Sequence, residues 1–156
     1  MKTHIGLTSE NANAVAEILS KLLADEYILI TKTKKAHWNI EGADFKPMHL
    51  FFEEQFGQID GFIDTVAERI RSIGHYTPGT LAEFLDLTHL TEKFEGKNNS
   101  NDYIKALLSD HESIVYSIRE NINNINNSYN DEGTSGMLGS LLEEHEKMAW
   151  MLRASL

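Results

Sequence analysis

From Ser9 to Leu152 the apolar side chains recur every three or four positions, with few interruptions. That period places them on one stripe of an α-helix, and no alternating strand pattern competes with it. Only two prolines occur, Pro47 and Pro78, both in turn-like surroundings. The first stretch, about Ser9 to Trp38, carries Val15, Ile18, Leu19, Leu22, Tyr27 and Ile30. Thr8 or Ser9 can cap its start, and Lys32, Lys34 and Lys35 suit its negative end. A short turn follows over Asn39 to Phe45, with Gly42 free to take a positive φ. Pro47 suits the first turn of a second helix, whose stripe of Met48, Phe52, Ile59, Ile63, Val66, Ile70 and Ile73 should stop at Gly74. A brief helix is expected over Leu81 to Leu87, then a polar connector from Gly96 to Asn101. The third long helix runs from about Asp102 through Ile104, Leu107, Leu108, Val115, Ile118, Ile122 and Ile125. Its asparagine-rich end predicts fraying. Gly133 and Gly136 mark a turn, with Thr134 or Ser135 as caps, before a last helix bearing Leu138, Leu141, Leu142, Met148, Trp150, Met151 and Leu152. The expected fold is all-α: one ferritin-like four-helix bundle over 1–156, with a short extra helix in the crossover between the second and third helices.

Composition narrows the chemistry. Fourteen Lys+Arg against 24 Asp+Glu give a net charge of −10 over 156 residues, which favours cations over phosphate backbones. The absence of cysteine excludes disulfides, thiolate metal sites and cysteine nucleophiles. The longest strongly apolar run, Tyr27 to Ile30, falls far short of the roughly 20 residues of a membrane span. Met1 to Thr8 shows no signal-peptide core, so a cytoplasmic protein is expected.

A carboxylate di-iron centre inside one bundle uses Glu-x-x-His pairs. No Glu-x-x-His occurs; the only acidic match is Asp86-x-x-His89, in the connecting segment. His111 and His145 lie on apolar stripes, where a satisfied core histidine is the commoner outcome than a ligand. His4, His75 and His89 are expected at the surface. The second helix stands apart: His49, Glu53, Asp60, Asp64 and Glu68 share about 100° of arc with Gly57 and Gly61, opposite the apolar stripe. A solvated acidic face would not favour two glycines, each costing up to ~1 kcal/mol in a helix interior. Glycines on one face permit close approach by another helix. His37 ends the first helix and His49 starts the second, so an antiparallel hairpin brings both imidazoles to one end. With carboxylates they suit Fe(II) or Zn(II). His49 and Asp64 are nevertheless about 22 Å apart along one helix. A two-fold mate running antiparallel, centred near Gly57, would set His49 against the mate's Asp64 and Glu68. The spacing predicts a dimer with two identical shared metal sites.

The segment Lys35-Ala-His37-Trp38-Asn39-Ile-Glu-Gly42-Ala-Asp-Phe45, then His49, then Asp64-Thr-Val-Ala-Glu68-Arg69, closely resembles the Dps family of mini-ferritins. The family pattern is His-Trp-x-x-x-Gly-x-x-Phe-x-x-x-His followed by Asp-x-x-x-Glu-Arg, and both spacings match without a gap. The resemblance implies a hollow shell of twelve subunits, in which dimers carry ferroxidase sites and ferric mineral is stored inside. It implies that His37 and His49 of one subunit and Asp64 and Glu68 of its neighbour bind iron, with Glu53 near a weaker second iron. Trp38 adjoins this site either as a sacrificial electron donor or as an ordinary interface aromatic. The family oxidises Fe(II) preferentially with hydrogen peroxide, which removes both ingredients of hydroxyl-radical damage.

Two features depart from the family pattern. Members that bind DNA often carry a Lys-rich tail, whereas only Lys2 precedes Ser9 here, which disfavours the alternative of a nucleoid-compacting protein with secondary ferroxidase activity. The turn before the last helix commonly has several acids lining a pore that admits iron. Here Asp131 and Glu132 are candidates, while Gly136 stands where an aspartate is common. Asp131 and Glu132 have a second reading as loop acids beside a helix start. A surface-acting or immune-stimulating shell of the same fold is disfavoured by the lack of a signal sequence.

Overall fold

The computed structural model describes residues 3–156, so Lys2 lies outside the described residues. Five helices follow one another: α1 (Ser9–Asn39), α2 (Phe45–Ser72), α3 (Leu81–Leu87), α4 (Ser100–Asn127) and α5 (Glu132–Ala154). No strand occurs among the described residues. The expected all-α bundle with a short helix in its crossover is what forms, and α3 occupies the expected bounds.

Four of the five helices start where a side chain takes up orphan amides, whereas Asp44 makes no capping bond at the start of α2. The Thr8 hydroxyl accepts from the Asn11 amide at 3.1 Å, and Asn99 Oδ1 from the Asp102 amide at 2.9 Å. Thr80 and Glu83 form a reciprocal capping box on α3. The stripes then meet in one core that includes Leu19, Leu23 and Leu29 of α1, Phe52, Ile59 and Ile70 of α2, Ile104, Leu107 and Ile114 of α4, and Leu138, Met148 and Leu152 of α5. Helix α1 packs chiefly on α2 and α4 on α5, with α1 also against α3 and α4.

The crossover sets the topology. It leaves α2 at Gly74, whose φ of +99° is the left-handed conformation expected of a glycine ending a helix. It finishes beside the α1–α2 turn, where the Glu41 amide donates to the Asn98 carbonyl at 2.8 Å. The connection therefore travels the length of the bundle, and α2 and α4 run parallel. Ring stacking ties it down at Tyr27–Phe84 (centroids 4.0 Å) and Phe94–Tyr103 (4.3 Å).

Two local expectations change. The asparagine-rich segment stays helical through Asn127, because Ile125 is fully buried and the amides of Ser128 and Tyr129 both close onto the Asn124 carbonyl. Tertiary anchoring outweighs weak propensity there. Helix α5 is capped by Asp131 rather than by Thr134 or Ser135, so Gly133 and Gly136 lie inside its first turns.

Candidate metal centre shared between subunits

The last turn of α1 and the second turn of α2 bring two imidazoles face to face. The ring centroids of His37 and His49 are 3.7 Å apart, with planes inclined by 20°. Their backbone contacts are reciprocal. His37 Nδ1 lies 2.8 Å from the His49 carbonyl, and His49 Nδ1 lies 2.8 Å from the His37 carbonyl. A carbonyl can only accept, so each Nδ1 carries a proton, and the tautomer of the neutral ring that this selects has its lone pair on Nε2. The helix end makes this arrangement available. The Glu41 amide, which would cap the His37 carbonyl in a continuing helix, bonds to Asn98 instead. Gly42, at φ +131°, turns the chain so that α2 can start at Phe45. Phe56 meets the His37 ring edge-on at 5.2 Å, and Phe45 lies against His49 at the same centroid distance. His37 is only 8% exposed, so its ring is held by packing as well as by hydrogen bonds.

The carboxylates stand elsewhere. Asp64 and Glu68 are exposed on α2, fifteen and nineteen residues beyond His49, or about 22 and 28 Å along the axis. Among the described residues no three His, Asp or Glu side chains of one chain gather as a metal site. Glu53, one turn beyond His49, and Asp60 are exposed as well. At Gly57 and Gly61 an added Cβ would meet nothing within 4 Å beyond the helix's own backbone, so this face of α2 is open in the single chain. Trp38, next to His37, is 69% exposed.

Arg69, present in the motif but given no role by the sequence, joins the carboxylate end of α2 to the start of α5. Its Nη2 lies 2.6 Å from Asp131 Oδ1, and its Nε donates to the Thr134 hydroxyl at 2.8 Å. Asp131 also accepts from the Thr134 amide at 2.9 Å and the Thr134 hydroxyl at 2.6 Å. At 3% exposure it is an ion-paired helix cap. Glu132 is exposed. Both acids nevertheless line a surface hollow of about 320 Å³ together with Arg69, Ser72 and Gly133.

His111 and His145 are fully buried in the core. Their Nδ1 atoms are 3.0 Å apart, so one donates to the other, and His145 Nε2 donates to Glu26 Oε1 at 2.7 Å. This Glu26–His145–His111 chain crosses from α1 to α5 to α4. It is less satisfied than an ordinary core histidine, since His111 Nε2 and Glu26 Oε2 are buried without a hydrogen-bond partner among the described residues. Burial, reinforced by His145, holds the His111 imidazole well below the usual histidine range. Beside it Lys32 Nζ meets Asp110 Oδ2 at 2.5 Å, and burial raises the Asp110 carboxyl more than the ammonium lowers it. The sequence offered no signal for Glu26, a charged residue within an apolar stretch.

Comparison with known proteins places the fold. A family model described as a ferritin-like domain matches residues 16–156. The DNA protection during starvation protein 2 of Bacillus anthracis is 35% identical over 91% of this chain and 96% of its own length. A low temperature-induced protein of Nostoc sp. is 37% identical over 98% of this chain and 86% of its own. Among solved structures, DpsC from Streptomyces coelicolor superposes with a TM-score of 0.94 at 29% identity, covering 99% of this chain and 90% of that one. A Vibrio cholerae Dps protein, described as a member of a broad superfamily of ferritin-like diiron-carboxylate proteins, gives 0.91 at 27% identity, covering 99% and 96%.

Proposed function

Because this chain belongs to the Dps family of ferritin-like proteins, we propose that it is a ferroxidase and iron store. It binds Fe(II) at sites shared by two-fold-related subunits, oxidises it, and holds the ferric product inside a hollow homo-oligomeric shell, a dodecamer, in the cytoplasm. In this reading one ferritin-like domain spans the whole chain.

The observation that carries the reading is the His37–His49 pair. Two stacked rings whose Nδ1 atoms are locked onto backbone carbonyls leave two Nε2 lone pairs at one end of the hairpin. Carbonyl partners of this kind fix ring orientation and tautomer for metal ligation. Imidazole nitrogen with carboxylate oxygen from the neighbour's Asp64 and Glu68 suits Fe(II) and leaves positions for an oxidant. Glu53 is the carboxylate for a second, weaker iron. Hydrogen peroxide is the preferred oxidant: one molecule takes one electron from each of two Fe(II) ions and leaves as two hydroxide ions. Trp38, the exposed neighbour of His37, supplies an electron when iron runs short. Asp131 and Glu132 are the acids of the pore that admits iron, and the net charge of −10 draws cations toward it.

The same charge opposes DNA binding, which depends on releasing counterions from phosphates. Retardation of DNA should be weak near ~0.15 M salt. The direct test of function is anaerobic Fe(II) titration followed by peroxide or oxygen, read as ferric absorbance. Absorbance should rise faster with peroxide. A rise no faster than in protein-free buffer would overturn the ferroxidase reading.

A further inference from the structure

Away from the paired histidines, the crossover lays His89 between α1 and α4. Asp25 of α1 is 1% exposed, and its Oδ2 lies 2.7 Å from His89 Nδ1. Its other oxygen accepts the His89 amide at 3.0 Å and the Thr88 hydroxyl at 2.6 Å, which fixes the carboxylate against the ring. A carboxylate accepts, so Nδ1 carries a proton, and Nε2, which bears the lone pair whenever the ring is neutral, lies 2.9 Å from Ser113 Oγ. A buried acid orients a base, and the base meets a hydroxyl. These are the roles of the carboxylate–histidine–serine constellation, which is recognised by geometry and not by chain order. His89 and Ser113 also line a cavity of about 320 Å³ with Ile18, Lys21, Leu87 and Tyr116.

We propose that Ser113, His89 and Asp25 form a nucleophilic serine site that hydrolyses small carboxylic esters. Ser113 Oγ bonds to the ester carbonyl carbon while its proton passes to His89 Nε2, and the carbonyl π pair moves onto oxygen. Collapse breaks the bond to the leaving alkoxide, which departs as the alcohol with the His89 proton. Water then adds to the acyl-serine with His89 again as base, releasing the acid and restoring Ser113. The balance is ester plus water to acid plus alcohol. The cavity lies at the small end of ligand sites, and Ile18 and Leu87 give it an apolar wall, so short-chain substrates fit. Ser113 sits in the middle of α4, where backbone amides are spent in the helix. The donor for the developing oxyanion must therefore be a side chain, and Lys21 is the cation among the lining residues. Without an amide oxyanion hole, esters with good leaving groups react best. Asp25 is a positioning residue that acts through the His89 ring.

A purely structural role, pinning the crossover to α1 and α4, would use the same hydrogen bonds, and p-nitrophenyl acetate separates the two. The assembled wild-type protein should release nitrophenolate and carry acetyl on Ser113 by peptide mass spectrometry. Ser113→Ala and His89→Gln should each lower the rate by about 10²-fold or more, and Ser113→Ala should keep full Fe(II) oxidation. Asp25→Asn should lower kcat with KM unchanged. If Asp25→Asn fails to fold, Ser113→Ala and His89→Gln decide alone. Hydrolysis by Ser113→Ala at the wild-type rate, or acetyl found only on lysine amines, would overturn the proposal.

Discussion

The two histidine pairs of this chain use the same residue type for opposite ends. His37 and His49 sit where a helix stops, and an uncapped carbonyl and a sharp turn let each ring bond to the other's backbone. Both Nδ1 atoms are spent, and both Nε2 atoms remain for something outside the chain. His111 and His145 sit inside the bundle, bonded to each other and to Glu26, with no exposure at all. The first pair spends backbone to keep side-chain nitrogens free. The second binds three helices together and leaves a buried lone end. Histidine is thus read by what its Nδ1 bonds to and whether its Nε2 is open.

Removing each pair should break different properties. The His37→Ala/His49→Ala protein should lose peroxide-driven Fe(II) oxidation by about 10²-fold or more, since ligand loss exceeds the ~10–100-fold effect of losing only a ligand's support. Its circular dichroism should stay that of wild type. His145→Ala should do the converse. It leaves the Glu26 carboxylate buried without its partner, a loss of roughly 3–5 kcal/mol, or about 10 °C in Tm. Oxidation per folded subunit should be unchanged when both are measured at one protein concentration.

Smaller effects sharpen the contrast. Gly57→Leu should weaken subunit association by about 1–3 kcal/mol through blocked helix approach, measured by light scattering on dilution. The fold of each subunit should survive, because beyond the helix's own backbone nothing described lies within 4 Å of a Cβ there. The core pair should also make stability pH-dependent. His111 is held neutral in the folded chain below its ordinary value of 6.5. Below that pH the unfolded chain binds a proton that the folded chain does not, so acid favours unfolding. Stability should be level in this respect above pH 6.5 and fall below it, by up to about 1.4 kcal/mol per pH unit. Denaturant midpoints from pH 7 to 5 measure this slope, and His111→Leu should flatten it.

Helix order, the crossover and the α3 bounds were legible in the sequence because apolar period and breakers carry them. So was the opposition of His37 and His49, which follows from one hairpin. The reciprocal carbonyl bonds were not, since they depend on where the Glu41 amide goes, and that partner, Asn98, lies far along the chain. Asp131 shows a second kind of illegibility. A loop acid before a helix reads equally as pore or cap, and only Arg69 arriving from α2 decides that its carboxylate is engaged. Glu26 was invisible for a similar reason, because its partner His145 is 119 residues away.

The central proposal is that each iron site takes its histidines from one subunit and its carboxylates from another, and mixing two inactive variants tests it most directly. His37→Ala/His49→Ala keeps Asp64 and Glu68, while Asp64→Ala/Glu68→Ala keeps the histidines, and each alone should be nearly inactive. In a mixed dimer one site collects both defects, and the other receives intact histidines and intact carboxylates. Co-assembly should therefore restore peroxide-driven Fe(II) oxidation, at one working site per mixed dimer. Verified co-assembly with no recovery would mean that each chain builds its site alone, and would contradict the shared centre.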